Sequence, residues 1–236
     1  MIRLFRKIRN QLLSEKSYSI YILYAAGEIV LVMVGILLAL QIDNWNENNK
    51  IQKEFSEVLE EIHEDLVLDT TSISLTLAQR ILDLEAQNRV IKAIRDDLPF
   101  NDQIQSDLGQ IMLKRSLRLA SSGFNLLRES SLTTMDDHSL RSNLIEYYEQ
   151  AVKEMNEEYV DDKFEFETVL LPYIRQNFKD WDYGKFGIPL DWESLKDDHY
   201  FLTSLRLNLT NVSSTINSLQ KGLHSANKIL VLLDKE

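Results

Sequence analysis

The chain of 236 residues contains no cysteine, which excludes a disulfide framework, a thiolate metal site and a thiol nucleophile. It has only 3 prolines and 7 glycines, so there are few places to break a helix or close a tight hairpin. Runs of alternating Val, Ile and Thr bounded by turn residues are also missing. These absences predict an all-α protein. A Gly-rich phosphate loop and a nucleophile elbow are absent too, so the expectation is a protein that is not an enzyme and needs no cofactor. Positive charge is short: the formal net charge is −11. An acidic chain does not concentrate the cations that phosphate binding needs, which argues against nucleic acid as a partner.

What is present is a long apolar run. Ile20 to Ile42 is 23 residues with one ionisable group, Glu28, enough to cross a bilayer core of about 30 Å with some tilt. It is too long for a cleaved signal peptide, and no small-x-small cleavage site follows it. Residues 1–42 carry Arg3, Arg6, Lys7, Arg9 and Lys16 against Glu15 and Glu28, a net of +3; the rest has 21 basic and 35 acidic residues, a net of −14. The positive-inside rule then puts the N-terminus in the cytoplasm and about 190 residues outside it. Trp45 suits one membrane interface, and Tyr18, Tyr21 and Tyr24 mark the other. The expected organisation is a cytoplasmic basic amphipathic segment (1–17), a transmembrane anchor (18–43) and a helical-bundle domain (44–236). In the first segment Phe5, Ile8 and Leu12 share a helical face, with Arg3, Arg6, Lys7 and Arg9 left to meet the inner leaflet. The plainer reading is a disordered basic tail that only sets topology.

The residues Phe5-Arg6-Lys7-Ile8-Arg9, Tyr24-Ala25, Gly27-Glu28-Ile29, Gly35-Ile36-Leu37, Ala39-Leu40-Gln41-Ile42 and Asn44-Trp45-Asn46-Glu47 resemble the start of a family of small envelope proteins. These are single-pass proteins of Bacteroidetes-type bacteria, classed as a domain of unknown function. The resemblance is close over roughly the first 50 residues and looser beyond. It implies a Gram-negative inner membrane with a periplasmic body, and it brings no activity.

Glu28, Val32, Gly35 and Ala39 are four, three and four residues apart, so they lie on one helical stripe, extended by Tyr21 and Tyr24. Gly35 and Ala39 form a small-xxx-small pair that lets two transmembrane backbones approach closely. An acid beside small residues is the arrangement expected of a membrane helix contact, with itself or with another membrane protein. Two other roles for Glu28 stand beside it. One is proton or ion handling, although the span offers no second ionisable group; the other is snorkelling to the interface.

Beyond Trp45 the helical pattern continues. Ile51, Phe55, Val58, Ile62 and Leu66, then Ile73, Leu77, Ile81, Leu84, Ile91 and Ile94, recur every three or four residues until the chain nears Pro99. "DTTSIS" (69–74) is the expected place for a bend. A helical segment from Asp102 to about Leu119 and a short capped helix in "SSGFNLLRESS" should follow. A long helix from about Asp136 to Phe178 comes next, with Leu140, Leu144, Tyr148, Ala151, Met155, Tyr159, Phe166, Val169 and Tyr173 inward and Pro172 expected to kink or end it. "DWDYGKFGIPLDW" (180–192) reads as a loop. The last helix shows a heptad seam, Leu202, Leu205, Leu209, Val212, Ile216, Leu219, Leu223, Ala226, Leu230 and Leu233. Its other face, uncharged from Leu207 to Gln220, suits a central bundle helix, a sugar-like ligand or an oligomer interface. Together these segments predict one N-terminal transmembrane helix followed by an elongated antiparallel bundle of about four helices.

Weaker signals complete the reading. Glu60-x-x-His63 supplies one half of a di-iron site, but Met135, Lys196 and Lys221 stand where the other histidines would need a glutamate. The acidic run 154–167 lacks the spacing of a calcium loop and reads as a solvated helix face. Asn208 and Asn211 open Asn-x-Ser/Thr tripeptides inside the last helix, and Asp69-Thr70-Thr71 resembles an O-glycosylation motif. The expected function is association, as a homo-oligomer or an accessory subunit of an envelope complex. The alternatives are a ligand-sensing bundle signalling through a partner and an ion-handling assembly built on Glu28.

Overall fold

A computed structural model of the chain describes residues 18–130, 135 and 137–234. Helix α1 (Tyr18–Arg95) is followed by α2 (Asp102–Leu108) and α3 (Ser122–Ser130). A composite helix, α4, occupies residues 138–177. It is α-helical at His138–Ile145, Val152–Glu165 and Leu171–Asn177, with π-helical turns at Glu146–Ala151 and Phe166–Leu170. A hairpin of β1 (Phe178–Asp182) and β2 (Phe186–Pro189), the short α5 (Trp192–Lys196) and the long α6 (His199–Leu233) complete the chain. The protein is therefore mostly helical, with few strands. It divides into two units, 1–56 and 57–236.

The larger unit is built on three long helices: α1 from residue 57 onward, α4 and α6. Contacts along α1 give their directions. Tyr147 meets Asp69 and Asp162 meets Arg80, so α4 runs parallel to α1. Leu205 meets Gln87 and Asp234 meets His63, so α6 runs antiparallel to both. Two parallel helices in sequence require a return crossing, and residues 109–121 provide it. Leu113 lies at Arg80, Ala120 at Asp69 and Gly123 at Asp65. The expected fourth helix is thus an extended strap: α2 ends at Leu108 and the chain past Gly109 is not helical.

Local chemistry explains the ends. Asn101 caps α2 through the Ile104 amide, Asp137 caps α4, and Asp198 caps α6 through the amides of Tyr200 and Phe201. Asp97, at φ 52, takes the left-handed position after α1, and the Leu98 amide then reaches back to the Ala93 carbonyl at 2.9 Å, the Schellman closure usually given to glycine.

Four expectations change. "DTTSIS" does not bend α1: Thr70 and Thr71 both donate their hydroxyls to the Val67 carbonyl and ride within the helix. "DWDYGKFGIPLDW" is the hairpin, with Trp181 opposite Gly187 and Asp182 opposite Phe186 around Gly184 at φ +71. Pro172 sits in the first turn of the last α-helical stretch of α4. The π-helical turn before it takes up the missing amide bond, so the helix continues to Asn177. Finally, the bundle has three long helices and a strap in place of about four antiparallel helices.

The hydrophobic core lies where α1 ends, among Val90, Leu108, Ile111, Phe166, Trp192 and Phe201. Backbone proximity there requires glycine. A Cβ on Gly109 would stand 2.2 Å from the Phe186 amide nitrogen, whereas one on Gly222 would meet only the flexible end of Met155 at 2.6 Å. Gly109→Ala should therefore cost about 2–3 kcal/mol, since backbone must move, and Gly222→Ala less than about 1.5 kcal/mol, since Met155 can rotate away. Urea unfolding of the two variants beside wild type checks the ranking; equal losses would contradict it.

Candidate functional site

Two places qualify by chemistry: the apolar helix of the first unit and a buried polar layer in the second. In α1 the residues from Ala25 onward include the apolar window of the chain, with mean hydropathy 2.3 and none of that window buried. It is the one helix among the described residues long and apolar enough to cross a membrane. Glu28, Val32, Gly35 and Ala39 fall within about 60° of one another at 100° per residue, and all four are exposed. A Cβ placed on Gly35 meets nothing within 4 Å. Trp45 is exposed as well. Tyr21 and Tyr24 belong to α1, but their side chains lie outside the described residues, as do Arg3, Arg6, Lys7 and Arg9 altogether. A helix apolar on every side is stable only where something other than water surrounds it.

The second place was not legible as a site in the sequence. Ile62, Leu66, Asp69, Ile73, Thr76, Arg80, Asp83, Gln87, Val90 and Ile94 are all buried and follow one another in alternating steps of four and three. This is the inward seam of α1, and half of it is polar. Leu77, Ile81, Leu84 and Ile91, expected inside, are half-buried or exposed. α6 behaves alike: its buried seam runs through Phe201, Leu205, Asn208, Val212, Thr215, Leu219, Gly222, Ala226 and Ile229. That seam shares only every second residue with the expected one.

The polar seams meet in one layer. The Arg80 side chain, 1% exposed, pairs with Asp162 of α4 and with Asp83 at 3.5 Å. It also donates to the Leu113 carbonyl of the strap. Thr215 of α6 donates to Asp162 at 3.3 Å. Arg115 of the strap grips Asp83, its Nε donating to Oδ2 at 2.9 Å and its second arm to Oδ1. Two guanidiniums face two carboxylates, so the layer is neutral. Burial pulls the Arg80 pKa down and Asp83 pulls it back up; an arginine remains charged under such a shift. The Arg115 pKa is raised, chiefly by its bonds to Asp83.

The strap depends on the same face of α1. An extended chain with no neighbouring strand must pair its buried backbone groups elsewhere. Gln87 accepts from the Met112 amide at 3.1 Å and donates to the Leu205 carbonyl at 2.7 Å, joining strap and α6. Asp69 accepts from the Ala120 amide and the Tyr147 hydroxyl, both at 2.7 Å. Asp65 accepts from the Gly123 amide at 2.9 Å and the Ser122 hydroxyl. These carboxylates and the amide, residue types also used in acid–base chemistry, are thus engaged in holding backbone. Desolvation pushes the Tyr147 and Tyr148 hydroxyls far above their ordinary range, which keeps both neutral, and Tyr147 donates to Asp69. A groove of about 510 Å³ has its described lining on α4 alone, including Tyr148, Val152, Asn156 and Val160. Among the described residues no group of three or more His, Asp or Glu side chains is placed to hold a metal; His63 instead meets Asp234 at 3.4 Å. Asn208 is 1% exposed within α6, which removes it as a glycan acceptor in the folded protein.

Two outcomes are expected. Arg80→Met leaves Asp162 buried without its cation and should cost about 3–5 kcal/mol, most of which Arg80→Met combined with Asp162→Leu should restore; additive losses in urea unfolding would contradict this. Desolvation also raises the Asp69 carboxyl, against the Ala120 amide and Tyr147 hydroxyl that pull it down. A carboxyl raised in the folded state keeps its proton at a pH where the unfolded chain has lost it. Its contribution therefore grows as pH falls through the folded value and is lost as pH rises through it. Wild type should gain stability relative to Asp69→Asn as pH falls from neutrality toward the ordinary carboxylate value of about 4, read as a shift in urea midpoint; a difference independent of pH would contradict the assignment.

With this geometry in hand, comparison with known proteins adds one finding. Neither the curated proteins nor the solved structures match the chain. The profile of a family of unknown function, DUF6090, matches residues 28–163, from Glu28 of the apolar helix through Asp162 and Lys163 on α4. It takes in the whole inward seam of α1 and the strap, and it covers more than half of the sequence; the chain belongs to the DUF6090 family of unknown function.

Proposed function

We propose that the protein is a single-pass inner-membrane protein whose body lies in the periplasm and which acts by helix association, as a homo-oligomer or as an accessory subunit of an envelope complex. The observation that carries this reading is the contrast within α1. From residue 57 on, its inward seam is covered by α4, α6 and the strap, whereas between residues 25 and 42 it is apolar apart from Glu28 and Gln41, and none of the apolar window is buried among the described residues. Lipid is the surrounding that such a surface fits. The basic N-terminal residues and the acidic remainder support a cytoplasmic N-terminus, and Arg3, Arg6, Lys7 and Arg9 are matched to anionic headgroups.

Within lipid, an uncovered carboxyl is costly and a partner helix relieves it. Glu28 lies beside Gly35 and Ala39 on one stripe, so two copies can close together while Glu28 hydrogen-bonds across the contact. The interior of the body supports a binding role over catalysis, because Asp65, Asp69, Asp83, Gln87 and Asp162 are engaged in tying the helices and the strap together.

The test is native mass spectrometry of the full chain in detergent. Wild type should be a defined oligomer. Glu28→Leu should weaken it roughly 3- to 30-fold, the range expected for a contact of about 0.6–2 kcal/mol in a membrane. Glu28→Gln, which can still hydrogen-bond, should retain it. Wild type running as a monomer with no co-purifying membrane protein would overturn the reading.

A further inference from the structure

Part of the outer surface of α1 in the body carries no charge, although the unit as a whole is acidic. From Leu66 to Leu82 the only charged residues are Asp69 and Arg80, and both are buried. What remains outside is apolar or small except for Gln79, which borders the leucines. Leu68, Leu75 and Leu82, seven residues apart, are 65%, 63% and 56% exposed. Thr71 and Ala78, also exposed, stand between them at the alternate positions of a heptad. Val67 and Ile81 flank the row and are exposed as well. Glu64 and Glu85, both exposed, close it at either end. α1 therefore carries two heptad seams in this region: an inward one half made of polar residues, and an outward one of leucines that no other described residue covers. This is the inverse of a soluble bundle helix, whose leucines belong inside.

We infer that this outward row, Leu68-Thr71-Leu75-Ala78-Leu82, is a parallel pairing seam for a second copy of the same chain. Charge selects the occupant. A body carrying a net of −14 beyond residue 42 repels its own copies over most of its surface, and this four-turn window is uncharged, so two copies meet there without opposing like charges. The same row in a partner supplies the complementary shape, because a symmetric pair buries one patch twice. Leucine at one core position and small residues at the other let the two helices close in register.

Size decides when the pairing occurs. A contact about 24 Å long and about 10 Å wide buries on the order of 250 Å² per copy, far below the roughly 800 Å² per partner of a stable complex. Free bodies would not hold together by it. Copies confined by a shared membrane anchor meet at an effective concentration in the millimolar range, where a contact of this size suffices. The inference thus rests on the anchored, self-associating reading proposed above, which supplies two copies inserted into one membrane in the same direction.

The chain has no cysteine, so single substitutions report cleanly. In membranes bearing the full-length protein, Leu68→Cys, Leu75→Cys and Leu82→Cys should each form disulfide dimers at least 5-fold faster than Asn88→Cys on another face of α1 or Lys221→Cys on α6. Leu75→Glu, at an exposed position that leaves the fold intact, should suppress crosslinking at Leu68→Cys while sparing that at Gly35→Cys. Rates equal to the controls at all three leucines, with Gly35→Cys still crosslinking, would overturn the seam and leave the membrane contact standing. Loss of crosslinking at Gly35→Cys as well would overturn both. Crosslinking between Leu68→Cys and Leu82→Cys chains, without self-crosslinking of either, would show an antiparallel pair and overturn the parallel assignment.

Discussion

The contact on which the body depends is the pairing of Arg80 with Asp162. It joins α1 to α4, Thr215 of α6 bonds to the same carboxylate, and the strap closes the layer through Leu113 and Arg115. A buried ion pair of this kind is weak as a source of stability, because desolvation offsets most of the attraction. Its effect is on register. Apolar seams slide past one another by a heptad with modest loss, but a helix shifted by seven residues would leave two guanidiniums and two carboxylates in an apolar interior. The layer therefore fixes the axial position of three helices that leucines alone would leave loosely specified.

The strap follows from the same constraint. Two parallel helices joined in sequence need a crossing of the full length between them, and a helix would have served. After turns at 109–112, residues 113–121 run without helix instead, and α1 offers side chains where a sheet would offer a second strand. Gln87 and Asp69 take amides, Asp65 takes the amide at the start of α3, and Arg80 serves a carbonyl. The polar half of the seam thus does two jobs, locking α4 and α6 in register and satisfying the backbone of a segment that has no sheet to join.

This also explains what could and could not be read in advance. The helical course to Arg95 apart from its expected bend, the capped helix α3, the reach of α4 and the length of α6 were legible, because spacing and caps act locally. The faces were legible in part: Ile62, Leu66 and Ile73 of α1 and Leu140, Leu144, Tyr148, Met155, Phe166 and Tyr173 of α4 are buried as expected. Farther along α1, apolar periodicity assigns Arg80, Asp83 and Gln87 to water and Ile81 and Leu84 to the core, whereas the three polar groups are buried, Ile81 is exposed and Leu84 half-buried, because each polar group finds a partner more than thirty residues away. The hairpin was missed for a related reason: Trp181 and Phe186 alternate too briefly around Tyr183-Gly184 to register as strands, and they are held by Leu108, whose carbonyl accepts the Trp181 indole. A signal did exist, since two heptad seams on one helix, one polar and one leucine-rich, cannot both face water. The membrane stripe was legible as a pattern, since Glu28, Gly35 and Ala39 need only helical spacing to be placed together.

The meeting of His63 with Asp234 at 3.4 Å has a bearing on how the body can be handled. Entry near Glu57 and the end of α6 lie at one pole, while Leu98, Trp192 and the hairpin lie at the other, tied by the Trp192 indole to the Leu98 carbonyl. The two poles are therefore separated by the length of the three long helices, and a probe placed in the hairpin turn at Gly184 reports on the aromatic pole without touching the pole where His63 meets Asp234.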